Sequence, residues 1–248
     1  MIEWVFLDVG NVLLDEDPLT FASFRVHVEA ARAVRPDLTF GRILAGREER
    51  ATAGSKWPLY DYISKFMDNA ECTRAWEAAD REVRSRFAEL SPEVAGADDL
   101  LRALGGRFRL GLIANQGPEC RRRLADLGWL GRFDVVALGE EEGVHKPDPG
   151  LFRRALDRAG VGPSAALMVG DRLDNDIEPA ARLGMATAWI RWPRPAAKGW
   201  SPVDEEGRAY LGSLGRIAAT AAGRPGRARP TWEVDDLAGL AEILPGLG

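Results

Sequence analysis

The 248-residue sequence predicts an α/β fold: a doubly wound parallel sheet with helices on both faces and a helical cap inserted after the first strand. Two observations predict it. Short apolar runs recur along the chain and alternate in its later part with stretches of helical periodicity, which is typical of parallel strands joined by helices. Residues 18–92, by contrast, show helical periodicity and little sign of strands.

The apolar runs predict five strands, a short edge strand near the end, and helices between the later strands. The predicted strands are residues 4–9, 109–114, 133–138, 166–169, 187–192 and the edge strand 231–234, and the predicted helices include 119–127, 151–159 and 177–183. Ligands of open α/β sheets bind at the carboxyl ends of the strands. Asp8, Asn115 and Asp171 all fall at such ends.

Residues 18–92 are too long for a simple crossover loop, at about 75 residues. They predict a helical insertion with its own small core, entered through Asp15, Glu16 and Asp17, which we expect to form a solvated hinge. The predicted division is a core of residues 1–17 and 93–248 and a cap of residues 18–92. Aromatic residues of this cap recur at helical spacing, which favours packing in its core for most of them and a place at the substrate cleft for one or two. They are Trp57, Tyr60, Tyr62, Phe66 and Trp76.

Residues 193–230 form a second irregular segment, with five prolines and a basic run at residues 224–229. Residues 205–221 within it predict one helix. Three possibilities stay open for this segment: it packs against a partner subunit, covers the functional site, or stays mobile. The glycine and proline within the basic run favour a mobile loop.

Composition narrows the class of protein. Lysine and arginine number 33 against 38 aspartate and glutamate, a net charge of −5, and no basic stripe interleaves with aromatics, so nucleic-acid binding is not expected. No apolar segment approaches the roughly 20 residues of a membrane span, and no signal peptide is evident. We therefore expect a cytoplasmic protein, either monomer or homodimer. Cys72 and Cys120 form no metal or disulfide motif.

The polar residues at the strand ends indicate a particular chemistry. A carboxylate such as Asp8 at the tip of a buried strand is costly unless its charge is compensated, and Mg²⁺ prefers such oxygen ligands. Asp171 supplies a second carboxylate, and Asp174 and Asp176 follow it. Lys146 can screen Asp8 and hold an anionic substrate oxygen. The pattern predicts a cation-assisted nucleophilic site.

Four segments resemble the motifs of the haloacid dehalogenase (HAD) superfamily, whose members are mostly phosphate-ester hydrolases. The segments are residues 5–12, 110–115, 146–149, and 169–171 with Asn175 and Asp176. Each motif is weak alone, but their order, spacing and placement at strand ends together carry the resemblance. It implies a Rossmann-like core, with a helical cap after the first motif covering the site.

The resemblance also implies a reaction, hydrolysis of a small phosphorylated metabolite in two steps. Asp8 would attack phosphorus and become an aspartyl-phosphate, which water then hydrolyses. Lys146 and the backbone amide of Asn115, in a segment that includes Ala114, would hold the phosphoryl oxygens.

The same resemblance implies a Mg²⁺ site. Its ligands would be the Asp8 carboxylate, the backbone carbonyl of Gly10 and the Asp171 carboxylate. Asp176 is either a further partner of the metal site or an acid in the first turn of a helix, and the sequence leaves both possibilities open.

Two departures from the pattern of the family bear on catalysis, and a third, Asn11 where the family usually has glycine, is expected to preserve the turn. Gly10 stands where most family phosphatases carry an aspartate that acts as general acid and base, a contribution of roughly 10²–10⁴-fold. Ala114 stands where a hydroxyl usually binds the phosphoryl group, worth roughly 1–3 kcal/mol. Without a general acid, turnover should depend steeply on leaving-group acidity. Equal rates on aryl and alkyl phosphates would mean that another group donates the proton.

Two alternatives follow from these residues. Gly10 and Ala114 together predict a weakened enzyme, slow or narrow in its substrates, and they also motivate the first alternative, a binding or regulatory protein that kept the fold and lost turnover. A 2-haloacid dehalogenase, with Asp8 attacking carbon, is the other alternative. The acids at 171–176 count against it, because a metal site has no evident use in that reaction.

Overall fold

A parallel sheet forms the centre of the molecule, as the sequence predicts. The computed structural model describes residues 1–221, 229–243 and 246, and within them the sheet has six strands in the order β3-β2-β1-β4-β5-β6. The strands are β1 Trp4–Leu7, β2 Arg109–Ala114, β3 Val135–Leu138, β4 Ala166–Gly170, β5 Ala186–Ile190 and β6 Trp232–Val234. Residues 224–228 of the basic run lie outside the described residues.

Helices cover both faces of this sheet. Side chains alternate along a strand, so Val5 and Leu7 pack into one apolar core, while Trp4 and Phe6 pack into another. The first core is completed by α6 Ala97–Gly105, α7 Pro118–Asp126 and α12 Leu237–Ile243, and the second by α9 Pro149–Ala159 and α10 Glu178–Leu183. This is the predicted doubly wound arrangement. Shorter helical turns are α8 Gly139–Glu142, Leu130–Arg132, Pro163–Ala165, Leu173–Ile177 and Pro195–Lys198.

Helices also fill the segment between β1 and α6. They are α1 Asp17–Val34, α2 Phe40–Ala53, α3 Tyr60–Ile63, α4 Asn69–Ser85 and α5 Phe87–Leu90. Helix α4 begins with a capping box, in which Asp68 and Glu71 each accept a hydrogen bond from the other's backbone amide. Such a box satisfies two backbone donors that the first turn would otherwise leave unpaired.

Helix α11, Glu205–Ala221, packs against these same helices from far along the chain. Tyr210 is 2% exposed, and its ring lies 5.3 Å from that of Phe21 and 5.2 Å from that of Phe24. The sequence does not predict this packing, because periodicity shows that a helix has an apolar face but not which surface covers it. The division of the chain into core and cap stays a prediction.

The aromatic residues at helical spacing separate into two groups. Tyr62 is buried, as predicted, in the apolar cluster that also contains Phe21, Phe24 and Tyr210, and Phe66 packs against that cluster. The prediction is wrong for Trp57, Tyr60 and Trp76, which are 57%, 45% and 58% exposed. Trp76 lies outside the buried face of α4, which consists of the small residues Cys72, Ala75 and Ala79, and Trp57 precedes the four-residue helix α3.

Within the described residues, no helix combines the length and the apolar character that crossing a bilayer requires.

Candidate active site

Asp8 follows directly after β1, in the centre of the sheet. Its carboxylate is held by the backbone, because the Val9 amide donates to Asp8 Oδ1 at 2.8 Å. The Asp8 amide donates to the carbonyl of Val169 at 2.9 Å. Since β2 and β4 flank β1 in parallel register, Asn115 and Asp171 follow the neighbouring strands at the same edge. The structure thus brings the predicted strand-end residues together.

Lys146 lies between two carboxylates. Its Nζ is 2.8 Å from Asp8 Oδ1 and 2.6 Å from Asp176 Oδ1, and the residue is 3% exposed. The side chain of Asn115 fixes the backbone of Lys146, donating to its carbonyl at 3.0 Å and accepting from its amide at 2.7 Å. The sequence predicts a role only for the backbone amide of Asn115, and no pattern in it indicates this side-chain pairing.

Asp176 is fully buried, and both of its carboxylate oxygens are engaged. Oδ1 accepts from Lys146, and Oδ2 accepts from the Arg172 amide at 3.0 Å. Gly170 makes this position possible, because a Cβ there would lie 2.4 Å from the Asp176 carboxyl group. Asp176 therefore orients the side chain of Lys146.

Negative charge exceeds positive charge at this edge. One carboxylate oxygen from each of Asp8, Asp171 and Asp176 lies within 4.8 Å of the others, and among the described residues Lys146 supplies the one ammonium that pairs directly with this cluster. Burial, reinforced by the other two carboxylates, raises the pKa of Asp8 well above its usual value. Burial and the Asp176 charge raise the pKa of Asp171 to about 7. The cluster therefore lacks positive charge.

A divalent cation fits this charge balance. Burial works against the charge of Lys146, but Asp176 and Asp8 overcome it and raise the pKa of Lys146 to about 12, so the ammonium stays charged. The carboxylates of Asp8, Asp171 and Asp176 together carry more negative charge than the Lys146 ammonium balances. Mg²⁺ prefers hard oxygen ligands of this kind. The residues present therefore suit the cation that the sequence predicts.

Asn11 and Ala114 complete the edge in different ways. Asn11 adopts the left-handed backbone region, with φ of 55°, and its Nδ2 donates to Asp171 Oδ2 at 3.1 Å. Asparagine tolerates this region better than other non-glycine residues. Ala114 is fully buried, and its methyl group belongs to the apolar core under the sheet. The sequence predicts that residue 114 contacts phosphate. Only the backbone of Ala114 is available for such a contact, because its side chain packs in the core.

Two of the three acids around the start of α1 are buried, and the prediction of a solvated hinge is wrong for them. Asp15 and Asp17 are 0% and 6% exposed, and they surround Lys198, which is 3% exposed. Lys198 Nζ lies 2.7 Å from Asp17 Oδ1 and 3.5 Å from Asp15 Oδ1, and it donates to Asn11 Oδ1 at 2.6 Å. Nothing in the sequence pattern links Lys198 to acids more than 180 residues earlier.

Replacing Lys198 by Met is expected to lower the free energy of unfolding by about 3–5 kcal/mol, because it strands two buried carboxylates. Urea denaturation measures the loss. The same change at exposed Lys65 should cost within about 0.5 kcal/mol. Adding Asp17→Asn to Lys198→Met should recover part of the loss, and a Lys198→Met protein as stable as the wild type would contradict the role of this cluster.

Comparison with known proteins identifies the family. The family model of haloacid dehalogenase-like hydrolases matches residues 2–184, which include Asp8, Asn115, Lys146, Asp171 and Asp176.

The chain belongs to the haloacid dehalogenase-like hydrolases. Among relatives of this HAD family chain, a phosphoserine phosphatase of Thermus thermophilus is 39% identical over 235 residues, covering 80% of this chain and 92% of the relative. A glyceraldehyde 3-phosphate phosphatase of Pyrococcus furiosus is 30% identical over 204 residues, covering 79% and 83%. A HAD-superfamily hydrolase of Geobacter sulfurreducens superposes with a TM-score of 0.65 at 18% identity, over 100% and 97% of the two chains, and shows the shared fold.

Proposed function

We propose that this HAD hydrolase is a Mg²⁺-dependent phosphatase of small phosphate monoesters, acting through an aspartyl-phosphate on Asp8. One observation carries the proposal: a buried lysine, Lys146, lies within 2.8 Å of Asp8 and 2.6 Å of Asp176, with the Asp171 carboxylate beside them. The names of the two relatives support the substrate class, since phosphoserine and glyceraldehyde 3-phosphate are both small phosphate esters.

The residues of the site suit the two steps of this reaction. The Asp8 carboxylate forms the new bond to phosphorus, and the Lys146 ammonium stabilises phosphoryl charge next to it. Asn115 and Asp176 hold Lys146 in place for this task. Mg²⁺, held by Asp8 and Asp171 and by the Gly10 carbonyl, would supply further stabilisation of the phosphoryl charge.

A screen over sugar, nucleotide and acyl phosphates, with and without Mg²⁺, tests the proposal directly. The expected result is phosphate release that requires Mg²⁺ and is greatest for small monoesters. A protein that releases no phosphate across this panel, while calorimetry confirms that it is folded, would contradict the proposal.

A binding protein without turnover is the second candidate, and Gly10 is the observation that favours it, because the usual proton donor is missing there. Calorimetric titration separates the two. Binding of a phosphate ester under saturating Mg²⁺ without phosphate release would favour the binding protein. The three clustered carboxylates count against the dehalogenase alternative, because attack on carbon needs no cation.

A further inference from the structure

The space beside Gly10 is filled by another carboxylate. A Cβ built on Gly10 would lie 2.6 Å and 2.9 Å from the two carboxylate oxygens of Glu16. The Glu16 carboxyl group therefore lies where the side chain of residue 10 would begin. This is the place from which the missing aspartate would act, two residues after the nucleophile.

The conformation of Glu16 is not explained by helix capping. Glu16 is the N-cap residue of α1, yet its side chain makes no capping hydrogen bond. The chain instead reaches across to Gln116, whose Nε2 donates to Glu16 Oε1 at 2.6 Å. Gln116 follows Asn115 at the end of β2, so this contact holds the Glu16 carboxylate at the catalytic edge of the sheet.

The surroundings of Glu16 suit the transfer of a proton between its carboxyl group and a substrate. Its side chain is half-buried and interacts electrostatically with Lys146. Gln116 Oε1 is buried and has no hydrogen-bond partner among the described residues. The amide of Gln116 thus offers an N–H to an ionised Glu16 carboxylate, and after rotation a carbonyl to a protonated one.

We propose that Glu16 is the general acid and base of this enzyme, in place of the aspartate absent at Gly10. The inference rests on the proposed phosphatase function and names a catalytic residue that the four motifs do not contain. Gly10 then permits the site instead of impairing it, because any side chain at that position would displace the Glu16 carboxyl group.

Proton transfers balance in both steps. In the first, an Asp8 oxygen bonds to phosphorus, the bond from phosphorus to the ester oxygen breaks, and that oxygen takes the proton of the Glu16 carboxyl group. In the second, water bonds to phosphorus and gives a proton to the Glu16 carboxylate, and the bond from phosphorus to Asp8 breaks. Phosphate leaves, and Asp8 and Glu16 return to their starting states.

Glu16→Gln tests the proposal when compared on alkyl and aryl phosphates. Turnover of an alkyl phosphate should fall by roughly 10²–10³-fold, because the leaving oxygen loses its proton donor. With an aryl phosphate, the first turnover should survive and the second step should slow. The phenol should therefore appear as a burst, with a phosphoryl group accumulating on Asp8. Glu93→Gln is the matched control: Glu93 is exposed, pairs in a β-bridge with Leu14, two residues before Glu16, and should behave as wild type.

A relocated carboxylate provides the second test. Gly10→Asp alone should give no gain, because the new side chain supplies one carboxyl group and displaces another, whereas Gly10→Asp with Glu16→Ala should recover alkyl phosphate turnover lost in Glu16→Ala. Wild-type rates in Glu16→Gln, or equal losses on both substrates without a burst, would overturn the role of Glu16 alone. Absence of any Asp8-dependent turnover in the wild type would overturn the proposed function and this inference together.

Discussion

Asp8→Asn is expected to remove phosphatase activity by on the order of 10⁴-fold or more, because the amide cannot form the covalent bond to phosphorus. The substitution keeps the shape of the side chain. Its Oδ1 can still accept from the Val9 amide and from Lys146, which lie 2.8 Å away in the wild type. We therefore expect a folded protein without turnover, measured as phosphate release under saturating Mg²⁺.

Asp174→Asn is the control for this loss. Asp174 pairs with Arg172 on the surface, and its side chain is 65% exposed. Removing its charge should leave turnover within about 2-fold of the wild type, since it contacts none of the clustered carboxylates in the described structure. Activity that persisted in Asp8→Asn would show that another group attacks phosphorus.

Lys146→Met is expected to give the second largest effect. It removes the only ammonium within hydrogen-bond distance of Asp8 and Asp176 among the described residues, so turnover should fall by roughly 10²–10³-fold. The two buried carboxylates lose their counter-charge, and the free energy of unfolding should fall by up to about 3–5 kcal/mol. Phosphate release and urea denaturation measure the two consequences separately.

The matched control is Lys65→Met, the same change on an exposed lysine. Addition of Asp176→Asn to Lys146→Met should restore part of the stability but none of the turnover, because it removes a stranded charge without replacing the ammonium. A Lys146→Met protein with wild-type turnover would contradict the assigned role of Lys146 at the phosphoryl group.

The sheet and its catalytic edge could be predicted because both depend on local patterns. Buried strands give continuous apolar runs, and a polar residue directly after such a run lies at the carboxyl end of a parallel sheet. This pattern predicts the positions of Asp8, Asn115 and Asp171 at the strand ends. The position of Lys146 is predicted by the motif at residues 146–149. Their contacts then follow from the register of β1, β2 and β4.

The contributions of Glu16 and Lys198 could not be predicted in the same way. Both act through tertiary contacts across the chain, Glu16 with Gln116 and Lys198 with Asp17. Three consecutive acids suggested a solvated hinge, since a run of charges is costly to bury without partners. The partner lysine lies in a proline-rich segment without periodicity, so no pattern joined the two.

Gly10 shows that the consequence of a missing side chain depends on tertiary contacts that the sequence does not reveal. Its missing side chain predicted a weakened enzyme, because the usual acid was absent from the motif. The structure places the carboxyl group of Glu16 in the space that Gly10 leaves open. A glycine within a catalytic motif can therefore mark room for a group from elsewhere in the chain.

Acid-quenched turnover tests the central claim most directly. Wild-type protein is mixed with Mg²⁺ and an aryl phosphate, stopped in acid at millisecond intervals, digested, and analysed by mass spectrometry for phosphorylated peptides. The account predicts a transient phosphoryl group on Asp8 that is absent from Asp8→Asn. Phosphate release with a phosphoryl group on a different residue, or with none on the protein at any time, would contradict it.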